Sequence, residues 1–344
     1  MKIQLALVMF MLIVSAPGGA ADGPTMQAAV ARGGTLRVQT LARPVAADGQ
    51  VLVQLRFAGV NPADWKSASG RADGDAGEAS EASGGGDLAA ANAAGIPGLD
   101  GSGVITALGA HVNGYRTGDA VILWSRERGT YAQYVAVSVQ TLARKPGSLS
   151  FEQAAGMAHA GLAAWNMLID IAQVRAGQTV LVLGGAGGVG SAAVQIAKLR
   201  GAHVIATASA RNSDYLKSLG ADQVIDYTRQ HFEDQVRNAD IVLNTVDADN
   251  AYRGLAVLRR GGYLVSASGL PSPDQCAARA VTCSRRTTTG TPIGVALKQL
   301  ADWSQAGRYR VNVDQTFTLS EVLKAWSYSQ AGHTRGKSVI RIGE

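Results

Sequence analysis

The stretch LGGAGGVGSAAVQIAK, residues 183–198, places five glycines within seven residues, directly before a run of good helix formers. A short apolar segment, TVLV, precedes it, and a second one, HVIATAS, begins at residue 203. A glycine fingerprint between two apolar strands, with a helix at its end, is typical of a dinucleotide-binding βαβ unit. The stretch therefore predicts a diphosphate site at a helix N-terminus, rather than an ordinary glycine-rich turn.

The fingerprint G-x-G-x-x-G is formed by Gly185, Gly187 and Gly190. Gly185 is expected to permit the tight turn, Gly187 to let the backbone approach a pyrophosphate, and Gly190 to let the helix press on the strand. The backbone of the intervening residues, Ala186, Gly188 and Val189, completes the predicted cofactor loop.

The end of the second predicted strand indicates which dinucleotide binds. It reads TASARN and contains Ser209, Arg211 and Asn212 but no carboxylate. A carboxylate here would bind the ribose 2′-hydroxyl of NAD and repel a 2′-phosphate, whereas a guanidinium binds a phosphate through paired charge-assisted bonds. The segment therefore predicts NADPH. The alternative is that Arg211 is only an exposed residue at the start of a helix.

Composition and periodicity set the fold class. The 344 residues are 47% hydrophobic and 17% charged, which excludes bulk disorder. The net charge of +6 comes from scattered residues, so we expect no nucleic-acid partner. The pattern of residues 26–150 predicts short strands and turns. The pattern of residues 151–285 predicts apolar strands that alternate with helices. The chain is therefore predicted to be α/β, with a β-rich domain and a doubly wound parallel-sheet domain.

The first 25 residues carry one lysine, an apolar core and small residues around Ala20, in the order of a secretory signal peptide. We expect an exported, periplasmic protein without a stable membrane span once this leader is removed. The alternative is a cytoplasmic protein that starts at Met26. The stretch Gly70–Gly95 has almost no large apolar residue and predicts a solvated insertion or a lid. The two cysteines, Cys276 and Cys283, are expected to be unpaired thiols, with one local disulfide as the alternative.

Eight stretches together resemble one known family: AGVNPADWK, IPGLDGSGVITALGAHVNGYRTGDAV, GTYAQYV, AAGMAHAGLAAWNML, GGAGGVGSAAVQIAK, SLGADQVIDY, LRRGGYLVSASG and GHTRGKSVIRI. The chain resembles the zinc-independent quinone oxidoreductases of the medium-chain dehydrogenase/reductase superfamily. The resemblance implies a GroES-like catalytic domain to which residues 286–344 return, with a Rossmann domain inserted. It also implies a homodimer that uses NADPH to reduce quinones or α,β-unsaturated carbonyls. Tyr227, Ser209 and Arg211 would surround the adenosine phosphate, and Lys337 would lie near the cofactor.

The sequence departs from that family in the Gly70–Ala94 region, which replaces a shorter and partly apolar connection beside the substrate pocket, and at two further positions. Ala163 stands where the family commonly has threonine, and His159 stands where an apolar residue is common. A zinc relative needs about three protein ligands, typically two cysteines and one histidine, and no cysteine precedes Cys276. A conjugated enone or quinone suits a metal-free site, because hydrogen-bond donors can stabilise the charge that reaches its oxygen.

The catalytic candidates are Asn61, Lys66, Tyr131 and His159. Asn61 is predicted to donate near the nicotinamide, or alternatively to bond its own backbone before Pro62. Lys66 is a candidate proton source, or forms a surface pair with Asp64. Tyr131 and His159 are candidates for lining the pocket and donating a proton, with plain core packing as the alternative for each. A cofactor-binding protein with little turnover is the alternative function.

Overall fold

The computed structural model describes residues 23–32, 35–68, 95–125, 129–286 and 290–343. Nearly all of the predicted leader and the predicted insertion at 70–94 lie outside the described residues, as do residues 33–34, 126–128, 287–289 and 344. Within the described ranges, no helix is long and apolar enough to cross a bilayer.

The first part of the chain builds a β-rich domain. Its strands are β1 Thr25–Arg32, β2 Thr35–Ala42, β3 Gln50–Gly59, β4 Asp100–Leu108, β5 Ala120–Trp124, β6 Tyr134–Ser138 and β7 Leu142–Arg144. Two strands from the end of the chain, β14 Val313–Thr318 and β15 Lys337–Arg341, join the same sheet. The order is β14-β15-β3-β4-β5-β7, with β6 also paired to β3, while β1 and β2 form a separate hairpin. Both ends of the chain thus build the GroES-like domain, as the resemblance implies.

The middle of the chain forms a parallel sheet. Its strands are β8 Thr179–Leu183, β9 His203–Ala208, β10 Gln223–Asp226, β11 Ala239–Asn244, β12 Leu258–Ser266 and β13 Thr282–Arg285. They lie in the order β10-β9-β8-β11-β12-β13, which is that of a Rossmann fold. The strand order reverses between β8 and β11, and the carboxyl ends of these strands therefore define the expected ligand crevice.

Helices cover both sheets and join them. They are α1 Pro62–Ala68, α2 Phe151–Trp165, α3 Gly188–Leu199, α4 Ser213–Ser218, α5 Phe232–Gln235, α6 Ala248–Gly254, α7 Pro273–Ala278, α8 Ile293–Gln305 and α9 Val322–Gln330. The capping box of Ser150 and Gln153 fixes the start of α2, which packs against β3 and β4 of one domain and α3 of the other. α2 therefore sets the relative position of the two halves of the crevice.

The two cysteines are joined. Cys276 on α7 and Cys283 on β13 form a disulfide with a sequence separation of 7. The expectation of two unpaired thiols is therefore wrong in this structure, and the alternative of one local disulfide holds. The short turn after α7 brings the β13 cysteine back to the helix, a return that the sequence analysis did not anticipate because TCSR carries little strand signal.

Candidate functional site

The glycine-rich turn follows β8, and each of its glycines meets a different physical demand. Gly184 has a φ of 79°, so it is the residue that makes the turn in a left-handed conformation. The prediction that Gly185 makes the tight turn is therefore wrong, because Gly184 is the residue with positive φ. Gly185 instead packs against β9, because a Cβ there would lie 2.9 Å from the Ala206 Cβ.

Gly190 and Gly187 differ in how much space surrounds them. A Cβ on Gly190 would lie 2.1 Å from the Gly184 carbonyl oxygen, so this glycine lets α3 press on the turn. A Cβ on Gly187 would meet only that same oxygen, at 3.7 Å. Gly187 is also the N-cap of α3, and no side chain caps this helix. The open face at Gly187 therefore leaves the first N–H groups of α3 available to an anion.

The rest of the loop contacts the C-terminal segment of the chain. The N–H of Gly336 donates to the Ala186 carbonyl oxygen at 2.8 Å, and Gly336 also forms an isolated bridge with Gly187. A Cβ on Gly188 would lie 2.7 Å from Cδ of Lys337. The Val189 side chain packs against the core beneath the sheet. The loop thus holds the start of β15 at the mouth of the crevice.

A pair of arginines lies at the carboxyl end of β9. Asn212 Nδ2 donates to Ser209 Oγ at 3.3 Å, and Arg335 Nε donates to Asn212 Oδ1 at 2.8 Å. Arg335 Nη2 also donates to the Arg211 carbonyl oxygen at 2.9 Å, and Arg211 Nη2 donates to the His333 carbonyl oxygen at 3.3 Å. Two arginines therefore join residues 211–212 to residues 333–335 where the sequence predicts a 2′-phosphate.

Tyr227 follows β10, one strand further along the same edge of the sheet. Tyr227 is 58% exposed, and its N–H donates to the Ala208 carbonyl oxygen at 3.3 Å. An exposed aromatic residue at this edge suits an adenosine, and the placement of Tyr227 beside the adenosine phosphate stays a prediction.

A buried polar cluster occupies the catalytic-domain side of the crevice. Lys337 Nζ donates to the Val60 carbonyl oxygen and to Asn61 Oδ1, both at 2.5 Å. Asn61 Nδ2 donates to Asp100 Oδ1 at 2.7 Å. The Asn61 N–H donates to Asp64 Oδ2 at 2.8 Å. Lys337 is 7% exposed, Asn61 1%, and both carboxylates are fully buried. The cluster thus joins α1, β4 and β15.

Burial sets the titration of this cluster. It raises the pKa of the Asp100 carboxyl, although the Lys337 charge and hydrogen bonds from the His159 N–H and Asn61 act to lower it. Burial lowers the pKa of the Lys337 ammonium, and the charges of Asp100 and Asp64 act to raise it. Each charge therefore offsets part of the cost of burying the other.

The other catalytic candidates lie around this cluster in different ways. The hydroxyl of Tyr131 donates to Asp64 Oδ2 at 2.9 Å, and Tyr131 is fully buried. His159 is 9% exposed, accepts a hydrogen bond from Trp124 Nε1 at 3.3 Å, and donates its backbone N–H to Asp100 Oδ2. The arrangement favours packing and support as the role of both side chains.

The expected surface pair of Asp64 and Lys66 is wrong. Asp64 is fully buried and accepts from Tyr131, because α1 turns this carboxylate into the domain. Lys66 is half-buried and lies over the ring of Trp65, 5.8 Å from its centroid. Trp65 packs against the core of the catalytic domain and donates to Ser329 Oγ at 3.4 Å.

Tyr131→Phe separates a supporting role from a catalytic one. The variant removes one donor from a buried carboxylate, so we expect a loss of about 1–3 kcal/mol in the free energy of unfolding. We expect kcat/KM to stay near the wild-type value at temperatures where the variant is folded. Urea unfolding and steady-state kinetics measure the two quantities. A large fall in kcat/KM without a loss of stability would make Tyr131 catalytic.

Three functional residues were not identified in the sequence analysis. Asp100 and Arg335 occur in stretches that carry the family resemblance, but no role was predicted for either. Gly184 precedes the three glycines that satisfy the G-x-G-x-x-G spacing. The signal for Asp100 is a lone aspartate among the three glycines of GLDGSG, residues 98–103, at the start of an apolar strand. Within the described ranges, no group of three or more His, Cys, Asp or Glu side chains is placed to hold a metal ion.

Comparison with known proteins agrees with this architecture. A sequence profile for the alcohol dehydrogenase GroES-like domain matches residues 47–147, and one for a zinc-binding dehydrogenase matches residues 219–340. A third, for the C-terminal domain of alanine dehydrogenase/PNT, matches residues 154–252. The profiles thus cover both the β-rich part and the dinucleotide-binding part of the chain.

Individual relatives indicate which family within this broad class of dehydrogenases the chain resembles. The chain is 33% identical over 312 residues to the 2-methylene-furan-3-one reductase of Solanum lycopersicum, covering 87% of this chain and 74% of that protein. It is 35% identical over 257 residues to the chloroplastic NADPH-dependent alkenal/one oxidoreductase of Arabidopsis thaliana, covering 71% of this chain and 63% of that protein. Among solved structures, the quinone oxidoreductase from Coxiella burnetii superposes with a TM-score of 0.78 at 29% identity, covering 93% of this chain and 100% of that one.

A dinucleotide crevice between a GroES-like domain and a Rossmann domain defines a pyridine-nucleotide oxidoreductase. Within that class, the chain belongs to the quinone oxidoreductase-like family of the medium-chain dehydrogenase/reductase superfamily.

Proposed function

We propose that this protein is an NADPH-dependent reductase of quinones or α,β-unsaturated carbonyls that works without a catalytic metal. The observation that carries the proposal is that the predicted cofactor site and the buried polar cluster are in contact through Lys337. The glycine turn with its uncapped helix lies directly against Lys337, and Lys337 belongs to the buried cluster of the catalytic domain. A dinucleotide on the turn would therefore end beside donors suited to a polar substrate.

The residues of the Rossmann domain fit NADPH. The open face of Gly187 admits a diphosphate to the start of α3, and the pair Arg211 and Arg335 suits a 2′-phosphate. Bound NADPH would supply a hydride to the conjugated substrate. The named relative from Arabidopsis thaliana is NADPH-dependent, which supports the same assignment.

The donor set argues for metal-free chemistry. Both cysteines lie after residue 275 and are paired in a disulfide, so the chain offers no thiolate pair to a catalytic zinc. The catalytic domain provides an ammonium, an amide and two carboxylates that bind one another. Such a cluster orients a substrate and stabilises charge, which suffices for hydride addition to a conjugated carbonyl.

The proposal is tested by NADPH oxidation at 340 nm with a panel of quinones and enones, and by fluorescence titration of both coenzymes. We expect NADPH to bind more tightly than NADH and to be oxidised by at least one member of the panel. Tight binding of NADPH without oxidation across the panel would instead support a binding protein with little turnover. Failure to bind either coenzyme would overturn both functions.

We further propose export to the periplasm and assembly as a homodimer. The order of charge, apolar core and small residues in the leader supports export, and a disulfide is suited to an oxidising compartment. Family membership supports the dimer. N-terminal sequencing of the native protein tests the leader, where cleavage near Ala20 is expected and a start at Met26 would contradict export. Light scattering tests the dimer, for which a mass near twice that of the subunit is expected.

The disulfide gives a prediction of its own. Native protein should contain no titratable thiol before reduction and two after reduction in denaturant. Cys276→Ser/Cys283→Ser should lose about 2 kcal/mol of stability, because the unfolded chain is no longer constrained by the short loop. Ellman titration and urea unfolding measure these values. Two free thiols in freshly isolated native protein would contradict the pairing and would remove one support for export.

A further inference from the structure

Lys337 lies between the predicted cofactor loop and the catalytic domain, where the proposed reaction needs a hydrogen-bond donor. It opens β15 directly after Gly336, which is hydrogen-bonded to the cofactor loop. Its aliphatic stem crosses α2 and α3, because a Cβ on Gly156 would lie 3.2 Å from its Cβ and a Cβ on Gly188 would lie 2.7 Å from its Cδ. The ammonium then reaches residues 60–61 of the catalytic domain. The side chain therefore spans the crevice from the cofactor loop to the substrate side.

Two of the three N–H donors of the Lys337 ammonium are engaged in hydrogen bonds. A lysine carries three N–H donors, and those of Lys337 that are engaged bond to the Val60 carbonyl oxygen and to Asn61 Oδ1. The third donor has no partner among the residues that the structure describes. Asp100 and Asp64 attract the charge of the ammonium. Asp100 accepts from Asn61 Nδ2 and from the His159 N–H, and Asp64 Oδ2 accepts from the Asn61 N–H and the Tyr131 hydroxyl.

Asn61 has no such donor left. One amide N–H bonds to Asp100 at 2.7 Å, and the amide nitrogen also lies 3.4 Å from Asp64 Oδ2. Its oxygen accepts from Lys337. The sequence-based assignment of Asn61 as the donor near the nicotinamide does not fit these bonds. The alternative of a purely local turn does not fit either, because Asp100 lies 39 residues away. Asn61 instead holds Lys337 in place.

We propose that the Lys337 ammonium is the catalytic donor that hydrogen-bonds the carbonyl oxygen of the enone or quinone as this oxygen takes up negative charge. The inference rests on the proposed function. The β-carbon of an enone accepts the hydride with its electron pair, the carbon–carbon π pair shifts toward the carbonyl, and the carbonyl π pair moves onto oxygen. The ammonium stabilises this enolate, and the α-carbon then takes a proton from water.

A non-reacting oxyanion tests the donor without turnover. 4-Nitrophenolate places a charged oxygen on a flat conjugated ring, and its absorbance near 400 nm separates it from the neutral phenol. With NADP⁺ bound, wild type should bind the phenolate and lower the apparent pKa of 4-nitrophenol. Lys337→Met should abolish that shift, and Lys337→Arg should retain part of it because a cation is kept.

Kinetics give the second readout. Removing an oxyanion donor is expected to lower kcat/KM by about a hundredfold or more. The affinity for NADPH should change little in comparison, because the proposed contact is with the substrate. Lys337→Met leaves two buried carboxylates without their cation, so Lys337→Met/Asp100→Asn is the companion variant if the single variant fails to fold. Lys145→Met is the matched control, since Lys145 donates to the Pro146 and Leu149 carbonyl oxygens outside the cluster.

The pH profile distinguishes a charged donor from a structural role. Because burial lowers the pKa of Lys337, kcat/KM should fall as the pH rises through this lowered pKa and the ammonium loses its proton. The ionisable groups around it are Asp64, Asp100, Tyr131 and His159, and burial raises the pKa of Tyr131 well above its usual value. Lys337→Arg should shift the alkaline limb upward.

The outcomes separate the two proposals. If wild type oxidises NADPH with an enone while both Met variants keep wild-type kcat/KM and phenolate binding, the role of Lys337 is refuted and the reductase assignment stands. If wild type neither binds NADPH nor turns over any substrate, the proposed function fails first. A loss of NADPH affinity in Lys337→Met equal to its loss of kcat/KM would make Lys337 a cofactor ligand instead and would also overturn the inference.

Discussion

Arg211→Ala/Arg335→Ala is expected to bind NADPH no better than NADH. The Arg335 guanidinium is fixed to Asn212 and to the backbone of Arg211, so both arginines belong to the segment at the end of β9 where the 2′-phosphate is predicted to bind. Each charge-assisted bond to a phosphate should be worth about ten- to a hundredfold in affinity. Either single substitution should thus weaken NADPH by about that factor, and the double substitution should remove the preference. The affinity for NADH, which lacks the 2′-phosphate, should change little.

Fluorescence titration with both coenzymes measures this preference. Arg116→Ala is the matched control, because Arg116 lies on an exposed turn of the catalytic domain and pairs with Asp119. The control should leave both dissociation constants at their wild-type values. Equal weakening of NADPH and NADH in the double variant would mean that the two arginines support the loop rather than the 2′-phosphate, and the argument for NADPH from this corner would be lost.

The Rossmann half was predictable because its signals are local. Strand β8, the glycine turn and α3 follow one another within residues 179–199. Each of the strands β9 to β12 contains a short run of apolar residues that is visible in the sequence. Strands β13 and β14 were missed because TCSR and VDQTFT are polar and lie at the edges of their sheets. Burial and pairing define such strands, and neither is visible in a short polar segment.

The catalytic cluster was only partly predictable because its bonds are long-range. Asn61 and Lys337 are 276 residues apart, and Arg335 and Asn212 are 123 apart. No pattern in PADWK shows that Asp64 turns inward, because its burial depends on Tyr131, 67 residues later. The sequence therefore indicated the residue types of the site but not which of them bond to one another.

Two glycines of the cofactor loop, Gly187 and Gly190, are expected to respond to substitution in contrasting ways. In Gly190→Ala the new Cβ would lie 2.1 Å from the Gly184 carbonyl oxygen, and backbone cannot move aside cheaply. We expect a loss of about 3 kcal/mol from such overpacking, or roughly 6–12 °C in the melting temperature. Binding of NADPH and NADH should weaken together, because the turn itself is displaced.

Gly187→Ala should behave in the opposite way. Gly187 has a φ of −73°, so alanine adopts this backbone without strain, and its Cβ meets nothing closer than 3.7 Å in the free protein. The variant should melt at or slightly above the wild-type temperature, since alanine reduces the entropy of the unfolded chain. It should nevertheless bind both coenzymes much more weakly, because the methyl group occupies the face that a pyrophosphate must approach. Differential scanning fluorimetry with and without NADPH measures both effects on one sample. A stable Gly187→Ala variant with full NADPH affinity would show that the diphosphate does not lie against this turn.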